Sequence, residues 1–385
     1  MSSHKFLSPG AIYYGIDSLE NYCDKLAAVG GKALIATDSM MSKLGYVEKL
    51  LEILKNQNVE YFVYNEIDSE PTNIHVEKGI QKYKENNCDF LIALGGGSPI
   101  DTAKAISVMI NNPGHISSYM GVGKVPKKGS PVVAIPTTAG TGSEVTQFTI
   151  IADTTTNVKM LISSEYLVPD IAIVDPLFTM TTPPNITAAT GIDALTHAVE
   201  AYTSIRHQPL TDIFSLSAIK RISKYLKKAW LNGNDKEARS EMMLAAMEAG
   251  LAFSNSSVTI VHGMSRPIGA LFHIPHGISN AVLLPACMEF AITGTPERFA
   301  DVARTLGLDT RKLSSITAAK EGVKIIKQLC LDVEIPSISG LGIDKEEFLG
   351  KIDKMAADAL ASGSPNNTAR KPSKEDIINI YKNSI

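Results

Sequence analysis

A chain of 385 residues has room for two or three domains at ~100–200 residues each, and 44% hydrophobic with 20% charged residues is the balance of a folded protein, not a disordered one. With 37 Lys and Arg against 40 Asp and Glu the net charge is −3, so the basic excess demanded by nucleic acid is missing. The four cysteines, Cys23, Cys88, Cys287 and Cys330, are scattered, residues 1–10 lack the blocks of a secretion signal, and no apolar run reaches the ~18–20 residues of a membrane helix, so a cytoplasmic protein is expected.

Up to Pro176, short apolar runs rich in β-branched residues alternate with stretches of helical period, the signature of a parallel sheet with crossover helices. Residues 32–37 (KALIAT), 60–64 (EYFVY), 89–94 (DFLIAL) and 131–135 (PVVAI) read as buried strands, with surface helices over 46–56 and 74–86. Residues 147–151 and 158–162, joined by 152–157 (ADTTTN), predict a hairpin attached to that sheet, and 171–174 its last strand. Beyond Pro183 and Pro184 helices are predicted over 185–204, 208–230, 235–254, 257–271, 277–291, 296–306, 312–332, 345–360 and 374–384. The expected architecture is an α/β Rossmann-like dinucleotide-binding domain over 1–182 and an all-α metal-binding domain over 183–385, with a site in the cleft between them.

Three stretches carry chemistry. In residues 89–104 (DFLIALGGGSPIDTAK) a buried strand runs into Gly95, Gly96 and Gly97 and then a helix, with Ser98 as a possible cap, Pro99 at the first helical position and Asp101 complementing the helix dipole. Bare backbone at a helix N-terminus suits a pyrophosphate, although a tight strand-to-helix turn would use glycine too. Residues 131–146 (PVVAIPTTAGTGSEVT) end a strand in a loop with hydroxyls at Thr137, Thr138, Thr141 and Ser143, suited to phosphate and ribose oxygens or simply made of turn formers. Asp38, at the tip of the first strand, is either a ribose acceptor that would repel a 2′-phosphate or a helix cap. Finally, Asp193 and His197 stand four apart on a predicted helix, and residues 260–277 add His262, His273 and His276 in a chain with 8 histidines, enough for a divalent ion with coordination positions left open.

GGGSPIDTAK, PTTAGTGSEVT, TAATGIDALTHAVEAY and VHGMSRPIGALFHIPHGISNAVLLP, in this order, resemble the iron-dependent (group III) alcohol dehydrogenase family, which includes lactaldehyde reductase and the propanediol and butanol dehydrogenases and has the dehydroquinate synthase-like fold. The resemblance implies an enzyme that interconverts short primary alcohols and aldehydes with NAD and Fe²⁺, or Zn²⁺, in a homodimer or larger homo-oligomer. It places the metal ligands on Asp193, His197, His262 and His276, and dinucleotide contacts on Asp38, Gly97, Ser98, Thr137, Thr138, Thr146, Phe148, Lys159 and Phe178. Many members carry a second histidine where this chain has Arg266, which leaves His273 as the candidate catalytic group beside the reacting oxygen. Phe148, Ile268, Leu271 and Phe272 are expected to line the substrate pocket, and residues 11–15 to pair across subunits. The alternative is a zinc-dependent glycerol dehydrogenase-like polyol oxidoreductase. A lyase of the dehydroquinate synthase kind would need clustered cations, and segments 185–204 and 255–285 offer only Arg266.

Overall fold

The computed structural model of the chain describes residues 3–156 and 158–385; Met1, Ser2 and Asn157, the last in the expected hairpin turn, lie outside the described residues. Two compact units emerge, one formed by Leu7–Thr181 and the other by the segment up to Phe6 with Thr182–Ile385. Phe6 stacks on Phe214 at 5.8 Å, and the Lys5 carbonyl accepts from Gln208 Nε2 at 3.3 Å, which draws the first residues to the helical unit.

The α/β unit contains β1 (Ala11–Tyr14), α1 (Ser18–Asn21), α2 (Asp24–Ala27), β2 (Lys32–Ala36), α3 (Ser39–Lys43), α4 (Tyr46–Asn56), β3 (Glu60–Tyr64), α5 (Asn73–Glu85), β4 (Phe90–Gly95), α6 (Gly97–Asn111), β5 (Gly121–Val122), β6 (Val132–Pro136), β7 (Phe148–Asp153), β8 (Val158–Ser163) and β9 (Ile171–Val174). Six strands form a parallel sheet in the order β3-β2-β4-β6-β9-β1. Its central strands read as unbroken apolar runs because both faces are covered. Leu34, Leu91, Ala93 and Ala134 pack with Ile100 and Ile106 of α6 on one face, while the alternate residues Ile35, Ile92, Leu94 and Ile135 pack with Leu50 and Leu54 of α4 on the other. Each fully buried Leu or Ile of this kind contributes ~1.5–3 kcal/mol.

The strand order reverses between β2 and β4, and in open α/β sheets ligands bind outside the carboxyl ends of the strands at such a switch point. Asp38 lies just past the end of β2, and Gly95–Gly97 carry the chain from the last residue of β4 into α6.

One expectation is corrected. The predicted hairpin is not attached to the main sheet: β7 and β8 pair with each other, and β8 pairs with β5, in a small sheet of their own. Residues 11–15, expected to pair across subunits, provide β1, which pairs in register with β9 and forms an edge of the main sheet.

The helical unit contains α7 (Pro184–Thr203), α8 (Pro209–Leu231), α9 (Lys236–Asn255), α10 (Ile260–Phe272), α11 (His276–Ala291), α12 (Pro296–Thr305), α13 (Ser315–Asp332), α14 (Lys345–Ala361) and α15 (Lys374–Asn383). Helix α7 starts on Pro184, whose missing N–H is no loss at the first helical position, and is buried on nearly all sides from Thr187 onward. The stretch His276–Gly294 is long and apolar enough to cross a membrane, contrary to expectation, but 56% of it is buried inside the unit and it carries a polar site. All four cysteines are free, and Cys88, Cys287 and Cys330 are buried, where desolvation raises their thiols, to about 11 for Cys88 and about 12 for Cys330.

Candidate metal and dinucleotide sites

On α7, Asp193, His197 and Glu200 follow a spacing of four and three residues and share one helical face. The chain enters α10 through a 104° bend after α9, which turns His262 toward that face, and α11 begins on His276 itself. Gly277 makes the last approach possible, because a β-carbon there would lie 2.6 Å from the Ala189 carbonyl oxygen of α7. The result is a cluster of Asp193, His197, His262 and His276 in which one ligand atom from each lies within 4.8 Å of the others. One first-row ion with bonds of ~2.0–2.2 Å spans such a set with little adjustment. His262 Nε2 is 3.8 Å and His276 Nε2 is 4.0 Å from Asp193 Oδ1.

Sequence reasoning missed two further members. Glu200 is buried; its Oε2 lies 2.5 Å from His262 Nδ1, while Oε1 accepts from the Thr259 hydroxyl and the Val261 amide, both at 2.7 Å. This carboxylate therefore caps the start of α10 and holds the His262 proton on Nδ1, leaving Nε2 as a lone pair facing Asp193. Asn280 Nδ2 donates to Asp193 Oδ1 at 2.6 Å and lies 3.1 and 3.2 Å from the Nε2 atoms of His262 and His276. These acceptors converge on one point that already attracts a donor, as a cation site should. Glu200 lies seven residues from Asp193 and Asn280 four from His276, so helical spacing was the signal that would have found both.

The electrostatics suit ligation. Burial pushes His262 well below its ordinary value, helped by His197 and Arg266 and opposed by Asp193. His276 is also lowered, chiefly by desolvation, although 44% of its side chain is exposed and solvent tempers the effect. Neutral imidazoles are the ligating form. Desolvation raises Glu200, against hydrogen bonds from Thr259 and Val261.

The α/β unit prepares a different surface. Gly95 ends β4 at φ 152°, and Gly96, not Ser98, is the N-cap of α6 with no side chain capping it, so the first-turn amides are left for a ligand. Asp38 is a helix cap: its Oδ1 accepts from the Met41 amide at the start of α3 at 3.0 Å, while Oδ2 lies 3.4 Å from where a Gly95 β-carbon would sit. Thr137 donates its amide to the Gly95 carbonyl at 3.0 Å, and Thr138 and Thr141 stand over Gly96 and Gly97.

Beneath this edge lies buried Lys104, whose ammonium donates to Ser143 Oγ (3.1 Å), Thr146 Oγ1 (2.9 Å) and the Phe148 carbonyl (2.8 Å). Asp101 accepts from Ser143 Oγ at 2.5 Å and from the Ile150 amide at 2.9 Å. Desolvation draws Lys104 down to about 8 and lifts neighbouring Glu144 to about 7. Asp101 and Thr146 thus tie the hydroxyl loop to α6. Lys159 is paired with Glu70 at 2.5 Å, and Phe178 is buried edge-on against Tyr46 at 5.0 Å.

Residues 9–176 match the sequence family described as iron-containing alcohol dehydrogenase, and residues 187–385 match the C-terminal domain of the Fe-containing alcohol dehydrogenase family. The chain belongs to the iron-containing alcohol dehydrogenases. It is 36% identical to the NAD-dependent methanol dehydrogenase of Bacillus methanolicus over 99% of both chains, and 35% identical to the 1,3-propanediol dehydrogenase of Citrobacter freundii over 99% of this chain and 98% of that one. The crystal structure of a 1,3-propanediol oxidoreductase superposes with a TM-score of 0.97 at 34% identity, covering all of both chains. Membership makes this chain an oxidoreductase that interconverts alcohols and aldehydes with NAD(H) and iron, and it disfavours the zinc glycerol dehydrogenase alternative.

One expected pocket residue is placed elsewhere: Ile268 is fully buried in the core. Phe272 is half-buried and stacks on Phe348 at 5.6 Å. His273 is exposed, in the left-handed region at φ 55° where α10 ends, three residues before His276. Such a conformation costs a non-glycine residue ~1–2 kcal/mol.

Gly96 offers a clean test of the dinucleotide edge. Its φ of −75° suits any residue, and a β-carbon would find only ordinary contact with Thr138 at 3.5 Å. Gly96→Val is therefore expected to fold with a melting temperature near the parent's yet to weaken NADH binding about tenfold or more, measured by fluorescence titration. Unchanged affinity would remove the glycine turn from the binding surface.

Proposed function

We propose that this dehydrogenase acts on short aldehydes and the matching primary alcohols, with the ion held by Asp193, His197, His262 and His276. The converging donor cluster is the observation that carries the reading. When bound, the ion supplies a Lewis acid that eases loss of the alcohol proton and polarises an aldehyde carbonyl, an effect of several kcal/mol. NAD supplies the hydride acceptor, and NADH the donor. Everything else is done by the chain. Glu200 fixes the His262 tautomer, and Asn280 orients the Asp193 carboxylate. His273, exposed beside the start of α11, passes the hydroxyl proton to solvent.

In the α/β unit, the Gly95, Gly96, Gly97 and Ser98 backbone receives the pyrophosphate, the Thr137, Thr138 and Thr141 hydroxyls flank it, and Asp38 accepts from the ribose and disfavours a 2′-phosphate. Asp101 and Thr146 act through the loop they hold. Phe178 supports the surface from the core, and Phe148 and Lys159 complete it from the small sheet.

The test is NADH oxidation with a panel of short aldehydes, on protein stripped by chelator and reloaded anaerobically with Fe²⁺ or Zn²⁺. Iron should restore turnover. His273→Asn should displace the pH profile of the iron-loaded enzyme and leave its metal content unchanged. No turnover with either ion would overturn the substrate class.

A further inference from the structure

Arg266 is the only cation in the ligand-bearing segments 185–204 and 255–285. It stands one turn after His262 on α10, so the two side chains leave the same helical face with β-carbons ~5–6 Å apart. Its charge reaches both His262 and His276, and partial burial draws the guanidinium below its ordinary value, opposed by the charge of Glu200. Among the described residues no protein group hydrogen-bonds or ion-pairs with it. The nearby acids are engaged elsewhere: Glu200 with His262, Thr259 and Val261, and Asp193 with Asn280. The next positions on that face, Gly269 and Ala270, put no long side chain over it.

A guanidinium stays charged in a protein, and leaving its donors partly buried with no anion hydrogen-bonded to them is costly. We infer that Arg266 binds a carboxylate on the substrate, so that the preferred substrates are short aldehydes and alcohols with an acid group about two to four carbons from the reacting carbon. The spacing of Arg266 from His262 sets that length, and the planar fork of the guanidinium gives the carboxylate two parallel hydrogen bonds. The inference rests on the proposed alcohol–aldehyde chemistry of the same site. It replaces an all-apolar pocket with one that has a single fixed charge.

The test compares kcat/KM of the iron-loaded enzyme for succinic semialdehyde and 5-oxopentanoate with butanal and pentanal, and adds a calorimetric titration with succinate, which needs no turnover. The acid-bearing aldehydes should be favoured at least about tenfold. Arg266→Met should lower that preference by about 10²-fold and abolish succinate binding, and Arg266→Lys should recover only part, because it keeps the charge and loses the fork. Equal use of charged and neutral aldehydes by the parent, or a preference unchanged in Arg266→Met, overturns the inference. So does an Arg266→Met variant whose main defect is weak NADH binding. Arg266-dependent succinate binding without turnover of any aldehyde would support the carboxylate site and overturn the proposed reaction.

Discussion

Alanine at position 262 is expected to lower kcat for aldehyde reduction by at least ~10³-fold while NADH affinity stays within about twofold of the parent's. Of the four clustered side chains, His262 has the direction most completely determined, by Glu200 behind it and by Asp193 and Asn280 in front. Losing the Lewis acid removes several kcal/mol of transition-state stabilisation, and each 1.4 kcal/mol is about tenfold in rate. The proposed dinucleotide surface belongs to the α/β unit and shares no residue with the cluster, so binding and turnover should separate. The substitution also strips buried Glu200 of one partner, so a lower melting temperature is expected alongside it. Steady-state kinetics, metal analysis and NADH titration on one preparation give the answer. Normal turnover by a preparation shown to be metal-free would sink the metal-dependent reading.

Glu200→Gln should weaken metal binding by about 10- to 100-fold, a defect that excess metal partly overcomes. The glutamine has the same shape but only one acceptor oxygen, and three donors arrive, from His262, Thr259 and Val261. If its amide N–H₂ faces the imidazole, the ring's proton moves to Nε2 and the lone pair turns away from Asp193. Competition with a chromogenic chelator measures the affinity directly. A variant that binds iron as tightly as the parent would reduce Glu200 to a helix cap.

Much of the fold was legible because its periodicities are strong. The central strands are apolar on both faces, so β2, β4 and β6 stand out as unbroken runs. In the second half, proline, serine or aspartate marks the starts of α7, α8, α9 and α13 to α15. The placement of β7 and β8 was not legible, since strand patterning says nothing about which sheet receives a hairpin. The residue type of Ser98 suits a cap, yet the helix begins one residue earlier, on Gly97. The cluster of Asp193, His197, His262 and His276 was readable because histidines are rare here and Asp193 and His197 stand four apart on one helix. Glu200 and Asn280 escaped because an acid or amide in an apolar helix has many uses, and only the fold brings them to one point. The crowding that places Ile268 in the core is likewise tertiary.

The sulfur atoms of this protein bear on how it fails. Cys88, Cys287 and Cys330 are held as neutral thiols by burial, and Cys23, the least enclosed, accepts a hydrogen bond from Gln57 at 3.3 Å. Peroxide and alkylating agents attack the thiolate, so three of the four offer them almost nothing. None of the four belongs to the ligand cluster. Inactivation of the iron-loaded enzyme in air is therefore expected to fall on the ion ahead of the buried thiols, the kind of damage that reductant and fresh Fe²⁺ repair without resynthesis of the chain.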